Sequence, residues 1–70
     1  MINASQIKEH MEVRGSGGKH VGTVLGVESR RVKLASGGMD HYIDIAMVDA
    51  IKGDALCLTK TAEETVRTWH

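Results

Sequence analysis

The sequence predicts a mainly β fold: one small β-barrel of five or six short strands, with a brief helical turn before it and a helix after it. Three observations carry this expectation. Short apolar runs recur along the 70 residues with Gly-rich breaks between them, at the spacing of about 8–12 residues that marks a small sandwich or barrel. The stretch GSGGKHVGTVLGVE, Gly15 to Glu28, places valines at 21, 24 and 27 around Gly22 and Gly26, which suits neither a flat strand nor a helix. A glycine inside a strand marks a bulge or a bend, and each bulge shifts the inward register by one residue; a strand bent this way is what a small barrel needs at its corners. Finally, only TAEETVRTWH, near the end, reads as a helix of more than a turn or two.

The elements follow in order. NASQIKEHM begins as a helical turn, with Asn3 as cap, Gln6 completing a capping box, and Ile2 and Ile7 placed as a hydrophobic staple. Met11 to Arg14 is a first strand. GSGGK returns the chain as a hairpin, and the bent strand HVGTVLGVES follows. RRVKLA alternates, with Val32 and Leu34 inward and Arg31 and Lys33 outward. SGGMD is a loop, and HYIDI a strand. AMVDAI is short and ambiguous; a 3₁₀ turn there sets Met47, Val48 and Ile51 against the core. Gly53-Asp54 signals a tight turn. ALCLT is the last strand, with Leu56 and Leu58 inward and Cys57 outward. Thr61 caps the closing helix, Glu64 completes its box, and Glu63 and Glu64 lie at the positive end of its dipole. Ala62, Val66 and Trp69 fall at i, i+4 and i+7, one stripe along its side.

Composition bounds the rest. A chain of this length makes a single domain, residues 1–70. It buries only about 60% of its unfolded surface, and its core supplies about 3–5 kcal/mol of net stability. There is no Phe, with one Tyr and one Trp, so Val, Ile, Leu and Met fill the interior and self-association is a natural route to further burial. A single cysteine, Cys57, makes no internal disulfide, which points to a reduced, cytoplasmic setting. Nine basic residues balance nine acidic ones, poor equipment for nucleic acid. No apolar run reaches the length of a membrane span, and the first ten residues are neither basic nor continuously apolar, unlike a signal peptide. Asn3-Ala4-Ser5 is accordingly a sequon without an expected modification.

Gly18-Lys19 suggests a phosphate loop, but His20 stands where a Walker A motif needs Ser or Thr, and also where a dinucleotide loop needs its third glycine. A valine-rich strand follows instead of the helix whose N-terminus meets a phosphate. His10, His20, His41 and His70 lack zinc-finger spacing; His20 and His41 meet only if their strands pair, with Cys57 as a third ligand. No nucleophile elbow or paired carboxylates appear, and Cys57 lies among apolar residues, so no catalytic residue, cofactor site or metal site is expected.

GKHVGTVLGVESRRVKL, HYIDIAMVDAI and ALCLTKTAEE together resemble DUF2171, a family of short bacterial proteins, over nearly the whole chain. That family in turn looks like a relative of the PRC-barrel, the small SH3-like β-barrel found in a ribosome maturation factor and in the H subunit of the photosynthetic reaction centre. PRC-barrel relatives commonly place a proline after the Ile of the HYI strand; this chain has Asp44. The resemblance implies a docking or assembly module and brings no catalytic residues. The expectation is therefore a non-catalytic interaction module that binds a protein partner or itself, through edge strands and a surface including Val66, Trp69, Lys19, His20, Arg30 and Arg31. The alternative is an RNA- or DNA-associated barrel. Its cationic patch gathers Arg14, Lys19, Arg30, Arg31 and Lys33, and its Gly–Val spacing is similar to that of SH3-like RNA-binding modules.

Overall fold

A computed structural model describes residues 4–69. Asn3, Ile2 and His70, named above as cap, staple and candidate ligand, lie outside the described residues. A 3₁₀ turn, Ala4–Gln6, leads to buried Ile7. Six strands follow: β1 (Glu12–Arg14), β2 (His20–Glu28), β3 (Arg31–Ser36), β4 (Met39–Asp44), β5 (Val48–Lys52) and β6 (Ala55–Leu58). Helix α1, Ala62–Thr68, comes last.

The strands form one mixed sheet in the order β4-β3-β2-β1-β6-β5. All neighbours are antiparallel except β1 and β6, which run parallel with Val13 opposite Leu56. The mainly β class, the N-terminal turn and the C-terminal helix are as the sequence predicts. The barrel, however, is not closed, because the two outermost strands, β4 and β5, share no ladder. They are nonetheless consecutive in the chain, joined by a 3₁₀ turn over Ile45–Met47. At about 2 Å rise per residue such a turn is short, so the sheet curls until its edges meet at that corner and part beyond it.

Local chemistry explains the curl. Between β1 and β2 the register steps from Val13 opposite Gly22 to Arg14 opposite His20, leaving Val21 as the extra residue. Between β2 and β3 it steps from Val24 opposite Leu34 to Gly26 opposite Lys33, leaving Leu25 extra. The two bulges beside Gly22 and Gly26 convert a spacing of three into an inward set, with Val21 and Val24 buried and Val27 packed against the core. Gly22 is required by packing: a Cβ there would press on the carbonyl oxygen of Ala35 and lie 2.9 Å from Leu34 Cδ1. The GSGGK hairpin closes with Gly18 N–H donating to the Gly15 carbonyl and Gly15 N–H to that of Lys19, both at 2.9 Å. Gly18 there takes φ +86°, the left-handed residue of a three-residue loop.

One core holds the sheet together: Val13, Val24, Val32, Leu34, Leu56 and Leu58 are essentially solvent-free. Met47 and Ile51 pack against it and Val48 is part of it, but the 3₁₀ turn expected to carry them spans only Ile45–Met47, and Val48 and Ile51 reach the core from strand β5. Helix α1 docks over the sheet, tied in where Ser16 N–H donates to the Lys60 carbonyl at 2.9 Å. The stripe expected along Ala62, Val66 and Trp69 needs correction. Ala62 and Thr65 are buried while Val66 is 53% exposed. Thr65 tolerates burial because its hydroxyl donates to the Thr61 carbonyl at 2.9 Å, leaving no polar group unsatisfied.

Candidate functional site

The residues singled out above fall into three places. The first lies at the mouth of the β1–β2 hairpin. Alternation along β1 puts Glu12 and Arg14 on one face, and the register sets His20 opposite Arg14. Arg14 Nε donates to one Glu12 carboxylate oxygen at 2.9 Å, and His20 Nδ1 lies 3.0 Å from the other. An ionised carboxylate only accepts, so Nδ1 is the donor. These hydrogen bonds, His20's first and Arg14's second, hold the Glu12 carboxyl below its ordinary value of 4.5.

Beside this cluster runs a groove of about 450 Å³ between the start of β2 and α1. Lys19, His20 and Val21 form one wall and Glu63, Val66 and Arg67 the other. The wall on α1 is fixed by its N-terminus. Thr61 accepts from Glu64 N–H at 3.2 Å as the cap, and Gly15 lets the Thr61–Ala62 backbone approach so closely that a Cβ there would lie 2.9 Å from the Thr61 carbonyl carbon. Lys19, His20 and Val66 are thus brought together, and Arg67, which the sequence reading did not single out, joins them.

Trp69 belongs to a second place. It stacks on His41 of β4 with ring centroids 3.8 Å apart and planes 6° apart, and it packs against the core. The indole is held by its own sheet. Arg31 is nearby, lining a smaller cavity of about 210 Å³ with Tyr42, Asp44, Lys60 and Trp69.

The third place is the outer face of β3 and β4. Lys33 lies 3.9 Å from an Asp40 carboxylate oxygen and 6.0 Å from the centre of the Tyr42 ring. The expected cationic patch is not assembled. Arg14 is engaged by Glu12 and Lys33 by Asp40, while Arg30 and Arg31 follow the far end of β2 from Lys19, with Arg31 opposite Asp44 and Glu28. His20 and His41 do not meet either, since β3 separates their strands. Among the described residues no three potential metal ligands come together, and no helix is long and apolar enough to cross a membrane.

The family described as "uncharacterized protein conserved in bacteria (DUF2171)" matches this chain over residues 7–66. The chain belongs to the DUF2171 family. The match runs from buried Ile7 through every strand to Val66 in the groove, so the DUF2171 pattern covers the whole sheet and most of α1. No curated protein matches the chain.

Proposed function

We propose that this chain is a non-catalytic interaction and assembly module of the PRC-barrel kind, acting in the cytoplasm, and that its groove docks a segment of a protein partner. One observation carries the reading: Val66, an apolar side chain on a capped helix, stands 53% exposed across a groove from Lys19 and His20, with Arg67 on its own side. An apolar residue set beside Lys19 and Arg67 suits an apolar side chain flanked by carboxylates. Glu63 is the groove's single acid among the residues named, so the excess there is positive. The dispersal of the other cations supports a protein partner over RNA or DNA, which is bound through many phosphate contacts at once.

The test is a tagged pull-down from the native cell with nuclease and salt arms, repeated with Val66→Asp and Lys19→Glu. The expected outcome is a protein captured regardless of nuclease and weakened at least tenfold by Val66→Asp, about 1.4 kcal/mol. Capture that disappears with nuclease, or that collapses steeply as salt rises, overturns this reading in favour of nucleic acid.

A further inference from the structure

The strand edges differ in how they are guarded. The β5 edge carries a bulge between Val48 and Ala50 and ends in Lys52, both devices that discourage strand addition. The β4 edge has no bulge and no Lys, its charges being Asp40 and Asp44. Its register with β3 is unbroken over six pairs, from Arg31–Asp44 to Ser36–Met39.

The pattern of hydrogen bonds shows which groups that edge offers. Ile45 N–H donates to the Arg30 carbonyl at 2.8 Å, continuing the same register. Hydrogen-bonded pairs alternate with non-bonded ones along an antiparallel ladder. Ile43, His41 and Met39 therefore bond to β3, and the N–H and C=O groups of Asp40 and Tyr42 point away from the sheet. Among the described residues nothing pairs with them.

We infer that a second copy of this chain pairs antiparallel along β4, with Asp40 of each copy opposite Tyr42 of the other and His41 opposite His41 on the two-fold axis. The register is selected by chemistry. Pairing Tyr42 with Tyr42 sets Asp40 against Asp44, and pairing Asp40 with Asp40 opposes two carboxylates, both destabilising. The inferred register uses all the outward groups of Asp40 and Tyr42 and sets no carboxylate directly opposite another. It also sets Met39 of each copy against Ile43 of the other in a close, non-bonded pair. Met39 is 65% exposed in the single chain, and the pairing gives it an apolar neighbour. Asp44 then falls opposite Gly38, the tip of the other copy's hairpin, where no side chain obstructs the corner. This inference stands on the β4 edge and is independent of the groove.

The test measures mass by light scattering over a concentration series. The wild-type chain is expected at twice the monomer mass. Asp40→Pro removes an outward N–H without touching the ladder to β3, so the chain is expected to remain folded by circular dichroism and to become monomeric. Val66→Asp, in the groove, is expected to leave the dimer intact. The register is read by cross-linking in a Cys57→Ser background: His41→Cys forms an intermolecular disulfide under mild oxidation, because non-bonded pairs bring Cα atoms to about 4.5 Å, while Asp40→Cys does not. If His41→Cys fails to fold, the Asp40→Pro mass decides. A monomeric wild-type chain, a dimer that survives Asp40→Pro, or preferential cross-linking through Asp40→Cys overturns the inference.

Discussion

Glu12 accepts from two side chains at once, Arg14 and His20, and this sets the pH behaviour of the hairpin mouth. Its carboxyl is held below 4.5 in the fold by those hydrogen bonds. A carboxylate with a lowered value stabilises the fold above its unfolded value, and that contribution is lost as pH falls through the folded one. Thermal melts of the wild-type chain and Glu12→Gln are therefore expected to differ at neutral pH and to converge as the pH drops below about 4.5; a gap that persists unchanged into strong acid denies the arrangement. Little of this was legible beforehand. The pairing of Glu12 with His20 depends on the bulge at Val21, which turns the two side chains to one face. Lys19, His20 and Val66 were named from sequence together with Trp69, Arg30 and Arg31, and that they share one groove while Trp69 and Arg31 line another cavity depends on the fold. Arg67 was not named, since its place is set by how α1 is rotated, and that rotation rests on Thr65. A threonine reads as polar in a periodicity argument, yet here its hydroxyl is satisfied within the helix and the residue is fully buried.

At the scale of elements, β2 shows two glycines doing different things. Gly22 faces Ala35 and Leu34 so closely that a methyl group has no room, while nothing lies within 4 Å of a Cβ at Gly26, whose φ is not in the left-handed region. Gly22→Ala is expected to cost about 1–3 kcal/mol through overpacking. Gly26→Ala is expected to be neutral or to stabilise by about 0.4–1 kcal/mol through the unfolded chain. Two melting temperatures decide it: near equality of the variants shows that crowding at Gly22 is relieved by a shift of β3. The bent strand was legible because glycine and broken alternation coincide in it. The β5 strand was not, because its own bulge between Val48 and Ala50 disrupts the alternation by which a strand is recognised. The incomplete barrel has a related cause. Sequence shows that a sheet bends, but whether its first and last strands bond depends on accumulated twist, and the single turn at Ile45–Met47 brings the edges to a corner without aligning them.

For the whole molecule, stability rests on one cluster in which Leu34, Leu56 and Leu58 are the largest fully buried side chains. Leu34→Ala is expected to cost about 2–5 kcal/mol, comparable to the entire net stability of about 3–5 kcal/mol expected for so small a core. Circular dichroism at 25 °C should then show a largely unfolded chain, and a loss below about 1 kcal/mol contradicts a single shared core. The parallel contact of β1 with β6 has a consequence in time. Glu12 to Arg14 pair with Ala55 to Cys57, far apart along the chain, whereas β2, β3 and β4 form a meander of neighbours. The meander can assemble from local contacts, but β1 has its second neighbour only once β6 has been made, and such distant pairings come late in folding. During synthesis the first strand must wait for the last, so the domain reaches its native sheet as a unit after its C-terminal segment emerges, and a chain cut before Leu58 leaves that seam open.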